Sequence, residues 1–277
     1  MAISALTKLT AVIGNPVRHS LSPFLHNEIY AREKIDAVML AFENADISQM
    51  VGAIRALPIH LTAVTLPHKQ SILPLLDEVD ATAREIGSVN TVLNIEGKLK
   101  GFNTDVVGIA AALSDVELRD KNVLILGAGG AARAVAYHLK KSAARIHVCD
   151  RTADKARSLV ESFGGTALKE DELGSVPFDC IVNATPVGMS PNSGTSPAPK
   201  EIIRPGASVF DLVYTPLETT LMKDAVSRGA RAISGLTMFL AQAFEQERLW
   251  LGKDVGNELY TQFLKMELNN EQSKKTI

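Results

Sequence analysis

A lysine and an aspartate at predicted turns are the residues best suited to proton chemistry in this chain. Lys69 closes the stretch Val64-Thr-Leu-Pro-His-Lys69, and Asp105 closes Gly101-Phe-Asn-Thr-Asp105. A lysine presented in a cleft can exchange a proton with an alcohol or carbonyl oxygen, as hydride transfer to a carbonyl requires. A carboxylate beside it would hold it in place. Taken alone, Lys69 fits the commoner role of a solvated lysine in the first turn of a helix, where the macrodipole disfavours a cation. Asp105 fits equally well as a cap on the helix predicted over 106–113. Hydroxyl and amide groups accompany them at other predicted strand ends and turns: Ser20, Ser22, Thr65 and Asn90. His19, His26 and His68 lack metal-ligand spacing, so no metal site is expected.

A second set of residues points to a dinucleotide. Gly127, Gly129 and Ala132 fit G-x-G-x-x-G/A between an apolar run and an alanine-rich stretch. Gly127 would allow the tight turn, Gly129 the approach of a pyrophosphate, and Ala132 close packing of helix on strand. The pyrophosphate would then rest on the helix N-terminus. Asp150 ends the next predicted strand, where an acid commonly reads a ribose hydroxyl. Arg151, Thr152 and Lys155 follow it and suit a 2′-phosphate.

These groups need elements to hold them. Strands are predicted over 9–14, 37–42 and 60–65. A helix is predicted to open at Ser22-Pro23, with Ser22 as its cap. Another is predicted to open at Pro67, with Ile72, Leu75, Leu76 and Val79 at helical spacing. Residues 91–103 read as a hairpin around Glu96-Gly97. From residue 123 onward, apolar strands at 123–126, 146–149, 180–183, 209–213 and 231–233 alternate with helices, which predicts a doubly wound parallel sheet. Residues 186–205 carry five prolines and form a long loop. The pattern after Gly235 is helical to about 268, with a polar, frayed tail at 269–277.

Composition narrows the classes further. A chain of 277 residues suggests about two domains. Twenty-nine basic residues face thirty-one acidic ones, a net charge of -2, which argues against a nucleic-acid partner. No apolar run reaches the length of a membrane span. Lys8 interrupts the early apolar stretch, so a cleaved signal is not expected. Cys149 and Cys180 are too few for a disulfide framework, which fits a reducing, cytoplasmic setting.

The ordered blocks of the chain resemble the shikimate dehydrogenase family. They are Gly-Asn-Pro-x-x-His-Ser-x-Ser-Pro, Val-Thr-x-Pro-x-Lys, Val-Asn-Thr, Gly-x-Asn-Thr-Asp, Gly-Ala-Gly-Gly-Ala, Arg-Thr, Asn-Ala-Thr-Pro-x-Gly-Met and a late Gly-Leu-x-Met…Gln-Ala. The resemblance implies an α/β fold: an N-terminal α/β substrate domain, a Rossmann-type doubly wound parallel domain, and a C-terminal helix packing back on the first. It implies residues 1–105, completed by 237–277, as the substrate and catalytic domain, and 106–236 as the NADP-binding domain. It also implies reversible NADPH-dependent reduction of 3-dehydroshikimate to shikimate, in aromatic amino-acid biosynthesis, by a monomer or homodimer.

By resemblance, Lys69 is the acid–base group with Asp105 beside it. Ser20, Ser22, Thr65, Asn90, Asp105, Tyr214 and Gln242 would bind substrate. Gly127, Ala128, Gly129, Gly130, Ala131, Asp150, Arg151, Thr152 and Lys155 would hold the cofactor, with Leu212 and Gly235 at the nicotinamide end. The chain departs from the family pattern at Ala63, where Asn is usual, at Asp150, where Asn is usual, and at Thr237, where Gly is usual. Asp150 leaves NAD as an alternative cofactor. Quinate is an alternative substrate, and a non-catalytic regulator of the same fold is an alternative class.

Overall fold

The computed structural model describes residues 3–274. The chain divides into two compact units, residues up to Asp105 with Ala241–Leu264, and Val106–Leu240 with the residues from Lys265 on. The C-terminal piece grouped with the first unit is therefore shorter than 237–277, and 275–277 lie outside the described residues.

In the first unit, β1 (Lys8–Gly14), β2 (Ala37–Glu43), β3 (Leu61–Val64), β4 (Glu78–Val79), β5 (Thr91–Ile95) and β6 (Lys98–Phe102) form one mixed sheet, in the order β2-β1-β3-β5-β6-β4. β1 runs parallel to β2 and β3, whereas β5 runs antiparallel to β3 and β6. The helices before the end of this sheet are α1 (Ser22–Arg32), α2 (Ile47–Ala56) and α3 (Ala81–Ile86). β1 is apolar throughout its inner half because both faces are covered. Ala11 and Ile13 pack with Met50, Val51 and Ile54 of α2, while Val12 packs with Val17 and Ala63 on the other side.

No α-helix follows Pro67. Residues 66–72 form turns, and only Leu73–Leu75 makes a short 3-10 helix. Pro74 accounts for this, since it lacks a backbone donor and restricts the residue before it. The helical spacing of Ile72, Leu75 and Leu76 reflects their burial against the sheet instead. Ser22 is likewise not a cap, because α1 begins at Ser22 and its end carries no side-chain capping bond.

The second unit follows from α4 (Asp105–Ala112). Its strands are β7 (Asn122–Leu126), β8 (Arg145–Cys149), β9 (Thr166–Ala167), β10 (Cys180–Asn183), β11 (Ser208–Asp211) and β12 (Arg231–Ser234). All pair in parallel, in the order β12-β11-β10-β7-β8-β9. Helices α5 (Gly130–Lys141), α6 (Ala153–Phe163) and α7 (Thr220–Ser227) lie in sequence between strands. The strand order reverses between β7 and β10, where ligands of open α/β sheets bind. Leu124, Ile181 and Val209 on three adjacent strands share a core with Phe178 and Leu221.

Two helices close the chain, α8 (Gly235–Leu251) and α9 (Glu258–Lys274). The helical pattern is broken after Gly252, whose φ of +70° suits glycine. The polar stretch expected to fray continues α9 through Lys274, because its residues to that point include no Gly or Pro.

Within the first unit, α8 is tied to α1 by a buried pair. His26 Nδ1 lies 2.5 Å from Glu247 Oε1, and neither side chain is exposed. The Tyr30 hydroxyl donates to the same oxygen at 2.9 Å, and Thr10 Oγ1 is 3.0 Å from that hydroxyl. Burial, aided by the Glu247 charge, pushes the Tyr30 phenol well above its ordinary value. Removing one partner of such a pair leaves a buried polar group uncompensated. Glu247→Ala is therefore expected to destabilise the protein by about 3–5 kcal/mol, whereas His26→Phe with Glu247→Leu should cost much less. Denaturant unfolding checks this, and equal losses in the two variants would show that packing volume matters rather than the pair.

Candidate active site

The first unit gathers its chemistry at the ends of β1, β3 and β6. Gly14 ends β1, and a Cβ there would lie 2.5 Å from Thr65 Cγ2, so glycine lets the two loops approach closely. Thr65 N–H donates to Ile13 O at 2.9 Å, and Asn15 N–H to Leu66 O at 3.0 Å. His68 Nε2 lies 2.7 Å from the Asn44 carbonyl, and Val89 N–H donates to Lys69 O at 2.7 Å. The Lys69 turn is thus held from three sides without a helix. On the neighbouring loop, Ser22 N–H donates to Ser20 Oγ at 3.2 Å, with Ser22 buried and Ser20 half-buried.

Lys69 Nζ donates to Asp105 Oδ2 at 2.5 Å. The lysine side chain is 16% exposed and that of the aspartate 4%. Asn90 Nδ2 donates to Asp105 Oδ1 at 2.8 Å, to Thr104 Oγ1 at 2.9 Å and toward Gln242 Oε1 at 3.3 Å. Four of the predicted residues, Lys69, Asn90, Asp105 and Gln242, therefore form one bonded cluster. Ala63, the departure two residues before Thr65, is packed in an apolar cluster with Val12 and Val17. Thr91, Thr104 and Gln246 belong to the same network but were not singled out by sequence reasoning. The two threonines adjoin predicted residues, and Gln246 lies four positions after Gln242 on α8, hence on the same face.

The second unit carries its features at the strand-order reversal. Gly127 has φ +102°, and a Cβ on it would lie 2.9 Å from Thr185 Cγ2. Gly129 occupies the cap position of α5 without a side-chain capping bond, and a Cβ there would meet open space. Gly130 and Ala131 begin the helix, and Ala132 is fully buried against the sheet. A left-handed Gly127 and an unhindered Gly129 at the start of α5 give this turn the shape that a pyrophosphate needs at a helix N-terminus.

The Asp150 carboxylate accepts from Ala128 N–H at 3.0 Å and from Thr152 N–H at 2.8 Å. It therefore braces the glycine turn, a function that sequence reasoning did not give it. Arg151, Thr152 and Lys155 are exposed beside it at the start of α6.

Leu212, Tyr214 and Gly235 also lie in this unit. A Cβ on Gly235 would sit 2.3 Å from the Leu212 carbonyl oxygen, so the two backbones are in contact. Tyr214 stacks on Phe239, with centroids 4.6 Å apart, and burial raises its phenol. Tyr214 thus belongs to the second unit, whereas Ser20, Ser22, Thr65, Lys69, Asn90, Asp105 and Gln242 belong to the first. Asp211, raised by burial, accepts from Asn183 Nδ2 at 2.9 Å and Thr219 Oγ1 at 2.6 Å. It links the loops that follow β10 and β11. Among the described residues no group of His, Cys, Asp and Glu could hold a metal ion, and no helix is long and apolar enough to cross a membrane.

A parallel sheet in this order, with a glycine turn at its reversal, defines a Rossmann-type dinucleotide-binding protein carrying a second α/β unit. Residues 12–92 match the family model of the shikimate dehydrogenase substrate binding domain, and residues 109–187 match that of shikimate / quinate 5-dehydrogenase. The NADP(+) shikimate dehydrogenase of Pyrococcus furiosus is 42% identical over 264 residues, 93% of this chain and 95% of that one. The chain superimposes on a crystal structure of shikimate dehydrogenase in complex with NADP+ at a TM-score of 0.88, with 36% identity, covering 96% of this chain and 98% of the other. The Thermus thermophilus enzyme in complex with NADP(H) and shikimate gives 0.80 at 36% identity, covering 89% and 94%. The chain belongs to the shikimate dehydrogenase family.

Proposed function

We infer that the protein is an NADP-dependent shikimate dehydrogenase, which reversibly reduces 3-dehydroshikimate to shikimate in cytoplasmic aromatic amino-acid biosynthesis. The observation that carries the assignment of roles is the Lys69–Asp105 pair at 2.5 Å inside a cluster of amide and hydroxyl groups. NADPH, when bound, supplies the hydride that forms the new C–H bond. Lys69 Nζ gives its proton to the carbonyl oxygen as the carbon–oxygen double bond opens, and takes it back in the oxidation. Asp105 holds the ammonium through Oδ2 and is itself fixed through Oδ1 by Asn90. Thr65, Asn90, Asp105 and Gln242 bind the carboxylate or the ring hydroxyls, while Ser20 and Ser22 offer hydroxyl donors to the substrate carboxylate. By the family pattern, Tyr214 is the remaining candidate for substrate binding. Gly127 to Ala131 hold the pyrophosphate, and Leu212 and Gly235 the nicotinamide. A matrix of shikimate or quinate against NADP or NAD, followed by reduced-nicotinamide absorbance, tests the reading. The shikimate–NADP pair should be the most active, and binding without turnover on any pair would favour a regulator.

The 2′-phosphate preference rests on opposed charges after β8. Arg151 and Lys155 attract a phosphate, and Asp150 opposes it. The Asp150 carboxylate is occupied by two backbone donors, which turns it toward the glycine turn and lessens its claim on a ribose hydroxyl. NADP should therefore be preferred, with NAD activity detectable. Arg151→Ala is expected to lower the NADP/NAD ratio of kcat/KM by roughly 10- to 100-fold, the worth of a charge-assisted bond. Asp150→Asn should raise the ratio. An NAD-preferring enzyme whose ratio ignores Arg151→Ala would refute the phosphate clamp.

A further inference from the structure

We propose that Thr91 and Gln246 are positioning residues that fix which way the Asn90 amide faces and, through it, the Asp105–Lys69 pair. The proposal rests on the reading of Lys69 as the acid–base group. The two ends of an asparagine amide are nearly the same in shape, so its neighbours decide which end meets Asp105. If the oxygen faced the carboxylate, two acceptors would oppose each other in a buried site.

Three donors settle the question. Gln246 Nε2 lies 3.4 Å from the Asn90 carbonyl oxygen and donates to Thr91 Oγ1 at 3.0 Å. The backbone carbonyl fixes the nitrogen end of Gln246, because its oxygen would be repelled there. An amide nitrogen only donates, so Thr91 must accept from Gln246 and spend its single proton elsewhere. Two acceptors lie in reach, Asn90 Oδ1 at 2.8 Å and Thr104 Oγ1 at 3.2 Å, and the proton goes to the nearer, Asn90 Oδ1. Thr104 N–H reaches the same oxygen at 2.7 Å. With Oδ1 held by two donors, Nδ2 is left to donate to Asp105 Oδ1 at 2.8 Å, which leaves Oδ2 for Lys69 at 2.5 Å.

The chain Gln246–Thr91–Asn90–Asp105–Lys69 is buried almost to its end: Thr91 is 0% exposed, Gln246 1%, Asn90 2% and Asp105 3%. Water does not replace a lost donor at such positions, so each bond constrains the next. Gln246 touches neither Asp105 nor Lys69 in this chain of bonds and acts only through the others.

The test compares Thr91→Val, which removes the hydroxyl at nearly constant volume, with Thr91→Ser, which keeps it, and with Gln246→Leu. Thr91→Val should lower kcat by about 10-fold per folded molecule, as modest misplacement of reacting groups does, with KM for NADP unchanged. Thr91→Ser should stay within about twofold of wild type, and Gln246→Leu should fall between the two. In a Lys69→Ala background, Thr91→Val should add almost nothing, because groups acting as a unit are not additive. Equal impairment of Thr91→Ser and Thr91→Val would assign the effect to packing and overturn the proposal. So would a full further loss in the Lys69→Ala background. Should Thr91→Val not fold, a wild-type kcat in folded Gln246→Leu overturns it alone. A normal kcat in Lys69→Ala itself would instead overturn the underlying catalytic reading.

Discussion

Lys69→Ala is expected to lower kcat for shikimate oxidation by roughly 10²- to 10⁴-fold, the usual worth of a positioned acid–base group. KM should change much less, because the proton moves only in the transition state. The expectation follows from the surroundings of the residue. Its side chain is 16% exposed, and its ammonium is bonded at 2.5 Å to a carboxylate that is itself buried. A solvated surface lysine has no such partner, and its loss would leave kcat within about threefold of wild type. Steady-state kinetics of the purified variant separates the two outcomes.

Asp105→Asn comes next in size, with an expected loss in kcat of about 10²-fold, comparable to the misplacement of a reacting group by an ångström. Asp105 accepts on both oxygens, from Lys69 on Oδ2 and from Asn90 on Oδ1. An asparagine has one acceptor end only. If its oxygen serves Lys69, its amide nitrogen faces the Asn90 amide nitrogen, donor against donor. If it turns round, Lys69 loses its partner. Either way the ammonium is no longer held where the carbonyl oxygen must be protonated. Combined with Lys69→Ala, the second substitution should cost little more, since the two residues act as one unit. A full additional loss of kcat in the double variant would show that Asp105 acts on the reaction apart from Lys69, whereas its contact with the substrate should appear in KM.

The parallel unit was legible because each of its signals is local. Residues 123–126 are apolar throughout because both faces are covered, and the observed strand Asn122–Leu126 ends on a glycine whose positive φ the turn requires. The Lys69 loop mimics a helix in the sequence because Ile72, Leu75 and Leu76 bury on one side at helical spacing, whereas Pro74 keeps the segment to turns and one short 3-10 helix. Motif residues such as Asn90 and Asp105 stood out by type and position. Thr91 and Gln246 did not, because their importance lies in a bond between positions 155 residues apart in sequence. The position of Asp150 suggests a ligand-facing charge, yet its two oxygens are bonded to main-chain N–H groups that no side-chain pattern reveals.

The most direct test is isotopic. The protein is incubated with 3-dehydroshikimate and NADPH deuterated at C4 of the nicotinamide, using each of the two stereoisomers in turn, and the product is analysed by mass spectrometry and NMR. The account predicts that one stereoisomer yields shikimate carrying a single deuterium on the carbon that bore the carbonyl, and that Lys69→Ala makes the same labelled product far more slowly. Absence of product, or shikimate unlabelled with both stereoisomers, would contradict it.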